Sequence, residues 1–193
     1  MSSRNTAVAG DVQERILDAA ARYLHYSPTG RAPIAELARQ AGVSRPTVYR
    51  HFADSDAVLR ALWLREITRL LDTTPRDITD REALVAHAVE LAEQVSTHHL
   101  LGSTFRTEQG LMAHYIVDRL GAGQRALLQV MRDAIVAVQP GGTVRAGEPD
   151  ELAAMVLLIA QSAIQSRRMI AEFLPDAAWR RELARALDGY LKP

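Results

Sequence analysis

Between Ser44 and His51 the chain sets five hydrogen-bonding side chains on one short stretch: Arg45, Thr47, Tyr49, Arg50 and His51. Each can donate to a base edge or a phosphate oxygen. Val48 and Phe52 interrupt them four residues apart, the spacing of one buried helix face. A two-turn helix furnished in this way fits the major groove of DNA, which admits an α-helix and exposes a readable pattern of donors and acceptors. A helical corner with a solvated face has the same local pattern, so the neighbouring segments must separate the two.

Few other chemistries are available. The chain has no Cys, which removes disulfides, thiol nucleophiles and Cys-based metal centres. Its six His (25, 51, 87, 98, 99, 114) show no metal-ligand spacing beyond the pair His98–His99, and adjacent helical positions do not face each other. HExxH, Glu-x-x-His, GxGxxG and GxxxxGK[ST] are absent. A Ser–His–Asp site is a spatial arrangement that spacing alone does not settle, and nothing favours one. No cofactor and no metal are expected. The alternative to a DNA-binding protein is an all-helical enzyme or carrier whose polar face at 44–51 is incidental.

The elements that position this face are helical. Ile34, Leu37, Ala38 and Ala41 repeat at i, i+3, i+4 and i+7, with Pro33 suited to a first helical position and Gly42 closing the helix. Val43 packs the corner, Ser44 is an N-cap for the next helix, and Pro46 falls in its first turn, where a missing N–H costs little. A helix, a Gly-containing turn and a short second helix make a helix-turn-helix. Before it, Ile16, Ala20, Tyr23 and Leu24 lie on one helix face, with Asp11 and Glu14 expected in the first turn. After it, Val58, Leu59, Leu62, Trp63, Ile67, Leu70 and Leu71 stripe a helix from 54 to 73. Further helices are expected near 80–97, 103–120, 122–138, 149–173 and 176–191. The predicted fold class is all-α, about nine helices, with residues 1–53 as a helix-turn-helix domain. Residues 54–193 are expected to form a second helical domain, the helix 54–73 connecting the two.

Composition agrees. Of 193 residues, 31 are Ala and 23 Leu, a mix that favours helix over sheet. Lys+Arg and Asp+Glu are both 23, which excludes a globally basic nucleic-acid binder. The basic excess is local: residues 1–52 hold seven Arg against four acids, a net of +3. The longest apolar run, Leu152 to Ala160, is far short of the ~20 residues of a membrane span. Met1 to Gly10 lacks the apolar centre of a secretory signal, so a cytoplasmic protein is expected.

The run Leu37-Ala38-Arg39-Gln40-Ala41-Gly42-Val43-Ser44-Arg45-Pro46-Thr47-Val48-Tyr49-Arg50-His51-Phe52 resembles the signature of the TetR family of bacterial transcriptional regulators. The Ala-Gly-Val-Ser turn, the Pro-Thr-x-Tyr and the closing His-Phe all match, over roughly residues 11–62. The resemblance implies a ligand-responsive repressor that binds a palindromic operator as a homodimer. It places Thr47, Tyr49 and His51 at DNA-contact positions, with Arg45 and Pro46 facing base edges. Ser44 and Arg50 stand on the same face. Tyr49 is expected to pack its ring and keep its hydroxyl on phosphate. Two positions depart from the family. Ala32 and Pro33 stand where a Thr or Ser usually contacts phosphate, which moves that role to Arg31. Ser55 stands where a Lys usually reaches the backbone; its hydroxyl and the helix N-terminus are expected to bind a phosphate there, with Asp54 and Asp56 opposing it.

For the C-terminal part, the resemblance implies a ligand cavity and a dimer face. Candidates for a mainly apolar small-molecule effector are Val95, Phe105, Met112, Tyr115, Met131 and Ile164, with His98, His114 or Gln161 orienting it. The segment 149–173 is apolar on more than one side, so one stripe needs a neighbour. Leu157, Leu158 and Gln165, together with Trp179, Leu183 and Leu187 of the last helix, are the expected dimer residues, in an isologous four-helix bundle.

Overall fold

The computed structural model describes residues 2–26, 32–74, 77–104 and 120–193, and within these every regular element is helical. In chain order they are α1 (Ser2–Tyr26), α2 (Ile34–Ala41), α3 (Arg45–His51), α4 (Ser55–Thr73), α5 (Arg81–Thr97), α6 (His99–Thr104), α7 (Ala122–Val138), α8 (Pro149–Ser166) and α9 (Asp176–Leu191). The last three helices expected from sequence are found, two of them with the expected ends. The exception is α8, which stops at Ser166 and gives way to turns over 167–173. α1 begins nine residues earlier than Asp11, so Asp11 and Glu14 lie in mid-helix rather than in a first turn. Asp11 there meets Arg15 one turn on, at 3.6 Å. Most of the segment 103–120 lies outside the described residues.

The chain divides into two units inside α4, between Glu66 and Ile67. The first unit takes α1 to α3, the front of α4, and α6. Its core is built from Ile16, Leu17 and Ala20 of α1, Leu37 and Ala38 of α2, Val48 of α3, and Val58 and Leu62 of α4, with Leu100 packed against it. The division falls where it does because Val58 and Leu62 share this core.

The second unit takes α4 from Ile67, then α5 and α7 to α9. α5 is capped by Asp80, whose carboxylate accepts from the N–H of Ala83 at 2.9 Å. Its buried face meets α8 and α9 around Leu84, Ala88, Ile135, Leu152, Val156 and Trp179. Polar ties fix the ends. Arg81 donates to Asp188 and to the Thr143 carbonyl. Arg167 donates to Ser96 and Asp176, and its guanidinium lies 4.4 Å from the ring centre of Trp179. No helix among the described residues is long and apolar enough to cross a membrane.

Candidate nucleic-acid interface

The corner between α2 and α3 follows from five residues. Gly42 adopts φ 65°, a left-handed conformation that favours glycine. Its N–H bonds back to the Arg39 carbonyl, and the Val43 N–H to the Ala38 carbonyl at 3.0 Å. That pair of bonds closes a helix end, with the apolar residue just beyond it packed inward. Ser44 then caps α3: its side-chain oxygen accepts from the Thr47 N–H at 3.2 Å. Val48 is fully buried and Phe52 nearly so, and these two anchor α3 to the core of the first unit.

The outer face of α3 is exposed as expected. Arg45, Pro46, Tyr49 and Arg50 are exposed, Thr47 and His51 half-buried. Tyr49 differs from expectation in one respect. At 57% exposure its ring is not packed into the core, so the whole side chain projects outward. Thr47 is the centre of a small network. Arg50 donates to its hydroxyl at 3.1 Å, and Ser44 Oγ lies 2.8 Å from the same hydroxyl. One hydrogen lies between the two hydroxyls, whichever donates. The other hydroxyl hydrogen remains for an outside acceptor such as a phosphate oxygen.

Ser55 is placed differently. Its hydroxyl donates to the Ala32 carbonyl at 2.6 Å, tying the start of α4 to the residue before Pro33. A serine has one hydrogen to give, and here it is committed inside the fold. Asp54 Oδ1 takes the Ala57 N–H at 2.6 Å, so a carboxylate already occupies the start of α4. Arg31 lies outside the described residues.

Several other cations of the first unit are held by carboxylates. Glu36 accepts two hydrogen bonds from Arg39, at 2.9 and 2.6 Å, and one from Gln40 at 2.7 Å. The Arg39 bonds, then the Gln40 bond, hold its carboxyl well below the usual range, at about 2. Arg65 of α4 reaches Glu14 and Asp18 of α1 at 3.0 and 2.8 Å and its neighbour Glu66 at 3.0 Å. Burial works against its charge, but the bonds to Glu14, Asp18 and Glu66 outweigh that and raise its pKa. Arg65 therefore clamps α1 to α4.

In the second unit, the predicted effector residues Val95 and Met131 are buried. Ile164 packs on the core, His98 closes α5 with its backbone N–H, and Gln161 accepts from Gln124 at 2.7 Å. Phe105, Met112, His114 and Tyr115 lie outside the described residues. Among the described residues, no group of three or more His, Asp or Glu is placed to hold a metal ion.

The expected dimer residues separate into two sets. Trp179, Leu183 and Leu187 are buried in the chain's own core, Leu187 completely, while Trp179 and Leu183 also line a groove open to solvent beside α8. The stripe was visible in the four-residue spacing, but spacing does not say which neighbour covers it. On α8, Leu157 is half-buried, while Leu158 and Gln165 are exposed. Leu158, with Met155 and Ser162, lines an open apolar groove of about 550 Å³ whose floor includes Trp179 and Leu183. Met155, Ser162, Met169 and Phe173 are also exposed near Leu158 and Gln165 in sequence and were not among the expected dimer residues. The signal for them was the run 155, 158, 162, 165 and 169, alternating three and four apart.

The family model described as bacterial regulatory proteins, tetR family, matches residues 16–62, the stretch from α1 through the front of α4. A helix-turn-helix transcriptional regulator of Mycobacterium tuberculosis is 41% identical over 181 residues, 94% of this chain and 95% of its own length. Among solved structures, that of RolR in complex with resorcinol has a TM-score of 0.71 at 16% identity, covering 96% of this chain and 90% of that one. FadR from Bacillus subtilis in complex with stearoyl-CoA has a TM-score of 0.64 at 16% identity, covering 92% and 98%. At these identities the two structures bear on the fold alone.

Proposed function

Because this chain belongs to the TetR family of bacterial transcriptional regulators, we propose that it is a repressor that binds a palindromic operator as a homodimer and is released by a small, mainly apolar molecule. The family consists of regulators rather than enzymes, so the enzyme-or-carrier alternative is set aside. The observation that carries the proposal is the outer face of α3. Arg45, Tyr49 and Arg50 project from a helix that Val48 and Phe52 hold rigidly. Ser44, Pro46, Thr47 and His51 complete the contact set. A single unit of this size makes few contacts, and helix-turn-helix proteins reach specificity by reading two half-sites about one helical turn apart or a multiple of it. The exposed apolar groove on α8, edged by Leu158 and Met155, supports a second copy as the partner.

For the effector, the set Val95, Phe105, Met112, Tyr115, Met131 and Ile164 carries no formal charge, which favours an apolar ligand, with His98, His114 or Gln161 orienting it. RolR was solved with resorcinol and FadR with stearoyl-CoA, ligands that both carry apolar carbon. Binding would shift the population towards a form whose two reading helices no longer match the operator spacing. The compartment is the cytoplasm, where the chromosome lies.

The test is selection from fragments of the source genome at moderate salt, then a screen of small molecules for release. An enriched palindrome whose binding weakens steeply with salt is expected, because phosphate contacts release counterions. Tyr49→Phe should weaken all sites alike. Recovery of no enriched sequence would overturn the proposal.

A further inference from the structure

The two arginines of α3 are in different situations. Arg50, near the end of the helix, is tethered to Thr47 three residues back, and through it to Ser44. Arg45 is the first residue of α3, is exposed, and makes no hydrogen bond or ion pair among the described residues. The contrast extends to the other described arginine side chains of the first unit. Arg15 meets Asp11, Arg22 donates to the Gln40 carbonyl, Arg39 is held by Glu36, Arg60 lies 3.7 Å from Asp54, and Arg65 is held by three carboxylates. In this set Arg45 alone has neither a hydrogen bond nor an ion pair, which leaves all five of its guanidinium hydrogens free for an outside acceptor.

Position and chemistry then combine. In a helix-turn-helix the N-terminal residues of the second helix reach base edges. A guanidinium presents two parallel N–H groups and no acceptor. In the major groove, guanine offers two adjacent acceptors, O6 and N7. Adenine pairs one acceptor with a donor, thymine offers one acceptor beside a methyl group, and cytosine offers a donor. An uncommitted guanidinium at the first position of α3 therefore selects guanine.

We propose that each operator half-site carries a guanine read by Arg45, and that Arg50 is a positioning residue. Arg50 holds the Thr47–Ser44 corner so that its spare hydroxyl hydrogen meets a phosphate. This inference rests on the DNA-binding function proposed above. It divides the labour on α3: Arg45 sets which sequence is bound, and Arg50 sets how firmly any sequence is held.

The experiment starts from the palindrome enriched by the full-length protein. Each guanine of a half-site is replaced in turn by 7-deazaguanine, which lacks the N7 acceptor and keeps its Watson–Crick pairing. Binding is followed by fluorescence anisotropy for wild type, Arg45→Ala, Arg45→Lys and Arg50→Ala. At one symmetric pair of positions, 7-deazaguanine should weaken wild-type binding about tenfold, within the range for a bidentate base contact. It should have no effect on Arg45→Ala. Arg50→Ala should weaken the operator and a scrambled duplex by the same factor and keep the guanine preference. Arg45 is exposed, so its variants should fold as wild type does by circular dichroism. The proposal is overturned if Arg45→Ala keeps the sensitivity to 7-deazaguanine, or if Arg50→Ala rather than Arg45→Ala removes it. It is equally overturned if the enriched palindrome shows no sensitive guanine. If no palindrome is enriched at all, the DNA-binding function itself fails, a different result.

Discussion

Arginine placed at Leu187 and at Leu158 should give opposite results. Leu187 is fully buried in the second unit, whereas Leu158 is 58% exposed at the edge of the α8 groove. Arginine at 187 buries an unpaired charge, costing ~3–5 kcal/mol, and forfeits ~1.5–3 kcal/mol of apolar burial. Together these approach the ~5–15 kcal/mol of a whole fold, so Leu187→Arg should fail to accumulate as folded protein. Leu187→Ala gives the measurable version: a loss of ~2–5 kcal/mol. With ~2–4 °C of melting temperature per kcal/mol in a chain of this size, a mid-range loss of ~3 kcal/mol lowers Tm by ~6–12 °C. Leu158→Arg should change the folding of the single chain by no more than ~0.5 kcal/mol. Its effect should be on assembly: wild type sediments as a dimer at micromolar concentration, Leu158→Arg as a folded monomer. Its Tm should then no longer depend on protein concentration. Circular dichroism melts and sedimentation velocity decide the matter. A folded, monomeric Leu187→Arg beside a dimeric Leu158→Arg would refute the assignment of faces. A monomeric wild type would remove the dimer and the palindrome with it.

Three further outcomes follow from the first unit. Gly42→Ala should cost ~1–2 kcal/mol, entirely from the left-handed backbone, because an added Cβ has open space there; a neutral result in a chemical melt would show that the corner relaxes. Ser55→Ala should cost ~1–3 kcal/mol by orphaning the carbonyl of buried Ala32, while DNA affinity of the folded protein stays unchanged; a uniform loss of affinity would return Ser55 to the phosphate contacts. Glu36, with its folded pKa near 2, stabilises α2 fully above the unfolded value of ~4.3 and loses that contribution as pH falls towards 2. Glu36→Gln should therefore be less stable than wild type at pH 6, with the gap closing on acidification; a gap that widens would contradict the sign.

What could be read from residue types alone was whatever is local. Gly42, Ser44 and Pro46 act within one turn of themselves, so the corner and both its helices were legible, down to the cap. The end of α8 was not, because no glycine or proline marks it. The chain turns at 167, where Arg167 is bound to Ser96 and Asp176, groups 71 and nine residues away. The Ser55 bond was not legible for the same reason, since its acceptor lies 23 residues back. The Arg65 clamp joins residues 47 and 51 apart, and no spacing rule reaches that far. The stripe Trp179, Leu183 and Leu187 was legible as apolar, but not that the chain's own core covers it. Periodicity defines a face but carries no information about what lies against it.

Trp179 gives the second unit a built-in optical probe. Its indole N–H is bound to the Ala163 carbonyl at 3.1 Å, Arg167 lies over its ring, and the same residue lines the groove beside Leu158. The chain has one other tryptophan, Trp63, which belongs to the first unit. With Trp63 replaced by Phe, emission comes from the floor of the proposed contact surface alone. Dilution through the dimer dissociation range should then change the intensity and colour of that emission, without a label and at concentrations below those sedimentation requires.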